Sequence, residues 1–390
     1  MKQTASIIST YSADVFGVCS ALFELGGMTI MHDASGCNST YSTHDEPRWY
    51  DMDSMVYISA LSEMEAVMGD DEKLIEDIAD AAEQLHPKFI AIAGTPIPTM
   101  TGFDFEAVAG LVEQRTGIPC FGFPTTGMNT YVHGASMALA GIARRFVKAS
   151  GVETAGDAQE KTASLSVNIL GLTPLDFSIN GMDKSIAAFL ESCGFQVVSR
   201  WAMGCSLEEL AQAGNADVNL VVSAVGLGAA KVLEERFHIP YVTGLPIGDH
   251  QKEALCHALK EAAGSGESRA CLSDLPEEES QIVLIGEGIS TLAIASAIEW
   301  ETGRGTKVLC ATECDELLLR GKDRMTPDED DIIPELAGAK IIIADPLYRP
   351  ICPPEAKFVS LPSEAFSGRI FRSEIKDLVS DLNTLLQEVI

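Results

Sequence analysis

The feature that most restricts this chain is the repeated order of a short apolar run, a Gly- or Pro-containing loop and an amphipathic helical stretch. Phe89 to Ala93 ends in Gly94-Thr95-Pro96, and Pro119 to Phe123 enters Pro124-Thr125-Thr126-Gly127. Helical spacing marks Asp14 to Leu25, Glu72 to Leu85, Phe105 to Thr116 and His133 to Lys148; Cys19 falls on the apolar stripe of the first and is read as core. The order recurs with runs at Leu165 to Leu170, Gln196 to Trp201 and Val218 to Val222, and helices at Lys184 to Cys193, Leu207 to Ala213, Ala229 to Phe237 and Gln251 to Ala263. It returns with runs at Gln281 to Ile285, Lys307 to Ala311 and Lys340 to Ala344 around a helix from Thr291 to Trp300. Runs too short for buried helices, alternating with helices, predict parallel sheets covered on both faces. The polar segments Ser150 to Thr162 and Gly264 to Ser280 read as linkers. The expectation is α/β, three tandem Rossmann-like units with mostly parallel sheets, over residues 1–150, 163–263 and 280–390.

Charge narrows the partners. With 27 Lys and Arg against 57 Asp and Glu the formal charge is -30, which excludes phosphate-backbone binding as the main task; nucleic acid is not expected. No apolar run approaches the ~20 residues that span a bilayer, and no signal peptide opens the chain. Ten cysteines without a secretory context predict reduced thiols in the cytoplasm, mostly small buried hydrophobes with one or a few ligands.

The chemistry concentrates in Thr29 to Trp49, TIMHDASGCNSTYSTHDEPRW. An apolar strand empties into His32, then Ala34, Ser35 and Gly36 let the backbone approach something bulky, and a lone thiol follows at Cys37. A thiolate on such a loop is a soft ligand for iron or zinc. Sites of doubly wound sheets lie beyond the carboxyl ends of the strands, where the Cys37, Thr95 and Pro124 loops all fall. His32 is a candidate ligand or proton donor, with a packed, hydrogen-bonded histidine as the plain alternative. For His44, Glu46 and Arg48 a solvated loop is the default and substrate contact the sharper reading.

Other motifs carry less. Gly286-Glu287-Gly288-Ile289-Ser290-Thr291 half matches the dinucleotide fingerprint and lacks its third glycine. Cys310 and Cys314 have no second pair at zinc spacing, and Cys352 sits among prolines. Neither G-x-S-x-G nor a P-loop occurs, so any ATP must be bound by another protein.

The pattern H-x-x-x-G-C at His32 to Cys37, after Phe16-Gly17-Val18 and before His44 and Arg48, resembles component 1 of nitrogenase and its relatives. The resemblance covers nearly the whole chain, including Asp345 to Pro350 and Leu361 to Arg369 near the end. It implies three Rossmann-like domains, an iron-sulfur cluster at a subunit interface with Cys37 as ligand, Gly36 and Thr95 beside it, and His32 and His44 as candidate catalytic groups. Family members typically supply three cysteines from the first domain; here the counterparts of the other two fall near Ala13 and near Thr95 or Pro96, and neither is a thiol. The chain is therefore similar to the single-ligand subunit of the dark-operative protochlorophyllide reductase branch, completing a shared 4Fe-4S cluster with a homologous partner in a heterotetramer. A homodimer with two Cys37 thiolates is the alternative. The resemblance further implies a separate iron protein that hydrolyses ATP and delivers electrons for reducing an unsaturated or sulfur-containing compound, a tetrapyrrole among them. Ser223 stands where the molybdenum enzyme ties its cofactor through cysteine, which disfavours dinitrogen fixation. A scaffold for metal-cluster assembly and a non-catalytic α/β binding protein stay open.

Overall fold

The computed structural model describes residues 5–36, 38–148, 164–273, 275 and 281–390. Three wholly parallel sheets run in chain order. In the first unit α1 (Asp14–Leu22) leads to β1 (Met28–Met31), β2 (Val56–Ile58), α2 (Glu63–Met68), α3 (Glu72–Leu85), β3 (Ile90–Ala93), α4 (Pro96–Thr101), α5 (Phe105–Thr116), β4 (Cys120–Phe123) and α6 (Tyr131–Phe146). The second holds β5 (Ser166–Leu170), α7 (Met182–Ser192), β6 (Gln196–Trp201), β7 (Val218–Val221), α8 (Leu227–Phe237), β8 (Tyr241–Thr243), α9 (Asp249–Ser265) and β9 (Arg269–Ala270). The third holds β10 (Ile282–Gly286), α10 (Gly288–Thr302), β11 (Thr306–Cys310), β12 (Arg324–Met325), β13 (Ile341–Ala344) and β14 (Lys357–Ser360), and α11 (Asn383–Val389) closes the chain.

The central strands read IAIA, VNLV, IVLIG and IIIA, and all are buried. Continuous apolar strands of this kind need helices on both faces. The sheet orders are β2-β1-β3-β4, β6-β5-β7-β8-β9 and β12-β11-β10-β13-β14. Each reverses winding beside its first strand, so crevices open between the carboxyl ends of β1 and β3, of β5 and β7, and of β10 and β13. Ser150 to Thr162, one expected linker, lies outside the described residues. The other is partly structured: β9 adds a last strand to the second sheet through Val242↔Arg269, so this unit runs past residue 263.

Two glycines set how α1 meets α6. A Cβ on Gly17 would stand 2.0 Å from Tyr131 O, and one on Gly134 would stand 1.9 Å from Asp14 O. Backbones can lie this close only where neither helix carries a side chain at the crossing. The whole of α1 is buried as a result. Asp14, also buried, holds the Pro124–Gly127 loop over this crossing by accepting from Thr126 N at 2.9 Å and Gly127 N at 2.8 Å.

Candidate functional site

His32 and Thr95 line the first crevice, and Cys37 lies outside the described residues. His32 directly follows β1 and is buried; its Nδ1 is 2.9 Å from Ser59 Oγ and its ring lies 4.4 Å from that of Phe103. Burial lowers its pKa to about 4, against the opposing pull of Asp33 and Glu65. The imidazole is neutral at pH near 7, fit for a ligand or relay and not for a resting acid. Across the crevice Thr95 caps β3, and its Oγ1 donates to His32 O at 3.0 Å and to Asp33 Oδ1 at 3.1 Å. Asn38 Nδ2 reaches the other oxygen of Asp33 at 2.5 Å. Asp33 thus ties Asn38, which follows position 37, to Thr95 at the end of β3. Gly36 takes φ +52°, and among the described residues beyond its chain neighbours nothing lies within 4 Å of where its Cβ would stand.

His44 sits apart, on a π-helical turn over Tyr41–Asp45, with Nδ1 2.9 Å from Thr43 Oγ1 and Nε2 3.7 Å from Asp45 Oδ1. The two histidines have separate hydrogen-bond partners. Glu46 and Arg48, expected at a solvated loop, are buried instead. Arg48 pairs with Glu46 at 2.7 Å and Glu24 at 3.0 Å, donates to Ser20 O and Ala202 O, and covers the Phe23 ring at 4.7 Å. The polar composition that suggested solvent serves an internal clamp between the site loop, α1 and the second unit. Ala13 bridges Thr130 in an antiparallel pair, and Thr95 is committed to His32 and Asp33, so neither position offers a soft donor. Among the described residues no group of three His, Cys, Asp or Glu could hold a metal ion.

The second and third crevices meet at a site the sequence reading missed. A cavity of about 100 Å³ lies between them, lined by Asp176, Phe177, Glu287, Asp345, Ser363 and Phe366 among others. Glu287 follows β10 and caps α10: Ile289 N and Ser290 N donate to it at 3.0 and 2.8 Å, and Ala224 N, beyond β7, at 2.8 Å. This carboxylate occupies the helix N-terminus where a nucleotide phosphate would have to sit, so the half-matched fingerprint is a self-capped turn. Asp176 receives Thr173 Oγ1 at 2.7 Å and, from the first unit, the Tyr131 hydroxyl. Burial, then the Glu287 charge, pushes its pKa up to about 7. Asp176 is half-buried and lines the cavity. Ser223 Oγ donates to Gly171 O at 2.8 Å across the β5–β7 crevice and also lies beside Asp176. The signal available beforehand was the switch-point rule applied to Leu172-Thr173-Pro174-Leu175-Asp176, an acid beyond a buried strand.

Of the thiols weighed earlier, Cys310 is buried, Cys314 Sγ donates to Asp315 O at 3.7 Å, and both pack against Gly288. Cys352 Sγ donates to Tyr348 O at 3.2 Å.

Residues 15–284 match the family model for nitrogenase component 1 type oxidoreductases. The chain belongs to that family. Within the component 1 type, it is 25% identical over 249 residues to the nitrogenase iron-molybdenum cofactor biosynthesis protein NifE of Clostridium pasteurianum, which covers 62% of this chain and 52% of that one. It is 27% identical over 188 residues to the nitrogenase molybdenum-iron protein alpha chain of the same organism, covering 48% and 33% of the two chains. Against a subunit of the light-independent protochlorophyllide reductase of Chlorobium chlorochromatii (strain CaD3) it is 28% identical over 179 residues, or 45% and 31%. The matched stretch spans about half or less of these relatives. The structure of nitrogenase Cp1 at pH 6.5 superposes on 100% of this chain and 93% of that one, with a TM-score of 0.68 at 18% identity, which establishes the component 1 fold. Among the described residues no helix is long and apolar enough to cross a membrane.

Proposed function

We propose that this chain is one subunit of a nitrogenase-like reductase, completed by a homologous component 1 subunit or by a second copy and supplied with electrons by a separate, ATP-binding iron protein. The observation that carries this reading is the apolar surface around the first crevice. Met64, Val67 and Met68 on α2, Ile97 and Met100 on α4, and Met128 beyond β4 are all exposed, and all follow the carboxyl ends of the first sheet's strands. The helices α2 and α4 touch, so their side chains form one face. An exposed methionine-rich face of this kind marks an interaction surface.

In this reading Cys37 supplies one thiolate to a 4Fe-4S cluster shared across that face, and the remaining ligands come from the partner. When bound, the cluster supplies one-electron transfer at low potential. Thr95 and Asp33 hold the loop in position, and His32 and Phe103 shield its base from water. The inter-unit cavity takes the substrate, and Asp176, protonated near neutral pH, donates a proton there from between Tyr131, Thr173 and Ser223.

An assembly-scaffold role is the second reading. It is favoured by the match to a cofactor biosynthesis protein and by Ser223, whose hydroxyl is engaged with Gly171 and offers no soft anchor for a resident metal cofactor.

The test is anaerobic co-purification with the neighbouring homologous subunit, followed by iron and sulfide analysis and EPR. About four irons per pair of chains, with a signal removed or altered by Cys37→Ala, support the shared cluster. Iron-free protein in both forms overturns it. Turnover with an iron protein and ATP then favours the reductase, and transfer of an assembled cluster to an acceptor favours the scaffold.

A further inference from the structure

Two thiols meet at the surface of the second unit, on helices α7 and α9. Cys193 closes α7, its N–H donating to Phe189 O at 3.0 Å and Leu190 O at 3.1 Å; Cys256 lies within α9. The two thiols are neighbours and line one open cleft with Phe189, Lys252, Glu253, His257 and Lys260. Both keep solvent exposure, whereas Cys19, Cys120, Cys205, Cys271 and Cys310 are buried. The Cys310–Cys314 pair has one member out of reach of any solute; this pair has none.

Two lysines flank Cys256 here, while Glu253 shares the cleft and Glu261 pairs with His257 at 3.4 Å. Lys252 and Lys260 stand one helical turn before and after Cys256 on the same face of α9. Lys252 Nζ is fixed by Val379 O at 2.8 Å, and Lys260 stands close enough to lower the pKa of Cys193. Burial and the Cys256 thiol outweigh it and push Cys193 up to about 11. Cys256, with a lysine one turn to either side of it, is the thiol that meets and attacks an anionic reagent, and Cys193, at the end of α7, is the resolving thiol.

We propose that Cys193 and Cys256 form a reversible dithiol–disulfide site, oxidised by small anionic disulfides of the glutathione class and reopened by dithiols. The Cys256 thiolate attacks one sulfur of the reagent, breaking its S–S bond and releasing one thiolate. Cys193 gives its proton to that leaving thiolate, and its sulfur displaces the second reagent thiolate from Cys256, which takes up the proton Cys256 lost. Two protein thiols are oxidised and one reagent disulfide is reduced to two thiols, so protons and electrons balance. The bond fastens the end of α7 to the middle of α9. It is independent of the function proposed above.

The test uses the full chain, reduced and desalted without oxygen, then equilibrated with mixtures of oxidised and reduced glutathione. Free thiols are blocked with iodoacetamide and peptides mapped without reduction. The expected result is a Cys193–Cys256 linked peptide that rises with the oxidised fraction and disappears with dithiothreitol. Cys193→Ser should stop at a glutathione adduct on Cys256, formed several-fold more slowly at high salt as the lysines are screened. Full alkylation of both thiols across the range overturns the proposal, as does a stable adduct on Cys256 beside a free Cys193 in the wild type. Should the serine variant fail to fold, the wild-type map alone decides between these outcomes.

Discussion

His32 and Asp176 respond to pH in opposite senses. The folded pKa of His32 is about 4 against an ordinary 6.5, so between those values the unfolded chain binds the extra proton. Its contribution to stability is complete above 6.5 and is lost as pH falls toward 4. For Asp176, raised from 3.8 to about 7, the folded state binds the extra proton, and stability falls as pH rises through that window. The slopes oppose each other where the windows overlap. We expect wild-type urea midpoints to change little between about pH 4.5 and about pH 6.5 on account of these two groups. Asp176→Asn should make the protein lose stability more steeply on acidification, and His32→Gln should make it gain. Identical slopes in all three proteins would show that neither group is perturbed as described. Arg48→Ala is expected to cost about 3–5 kcal/mol in denaturant unfolding, because Glu46 is left buried without its cation.

At the scale of elements, much was legible in the sequence. Glu72–Leu85 and Phe105–Thr116 end where periodicity and the flanking Pro87 and Gly117 place them. The strands that escaped notice are short and at or near sheet edges: β2, β8, β9 and β12 have only two or three residues each, and β14, a four-residue edge strand, is buried at a single position. Pattern reading needs several turns of a period, and such strands owe their existence to a neighbour's ladder. Glu46 and Arg48 were misjudged for a related reason: their partners Glu24, Ser20 and Ala202 are far away in sequence, and composition cannot show a charge paired across that gap. The acid junction was hidden likewise, since Tyr131, Asp176 and Glu287 come from three different units. The crossing of α1 and α6 supplies a test. Gly17→Ala or Gly134→Ala must push the helices apart, and a loss of about 1–3 kcal/mol in urea unfolding is expected.

For the whole molecule, the prediction concerns association. Met64→Lys with Met100→Lys places two charges on the apolar face at positions that are 76% and 86% exposed, so stability should change by no more than about 0.5 kcal/mol. Sedimentation of the purified complex should nonetheless show dissociation into single chains. An unchanged assembly would move the interface elsewhere. The -30 charge works in the same direction, since two such chains repel unless an apolar patch brings them together, and added salt should tighten the pair.

The contact between α1 and α6 also has a history in time. Asp14 and Gly127, which join over that crossing, are 113 positions apart, so the first unit closes as a ring whose two ends are made at different moments of synthesis. While the ribosome has yet to deliver Tyr131, α1 is a helix with every residue destined for the interior and no partner to cover it. The entropy of closing so long a segment must be met before any of its contacts repay it. The nascent first unit is thus an obvious client for chaperones, and its vulnerability ends within the few seconds needed to make α6.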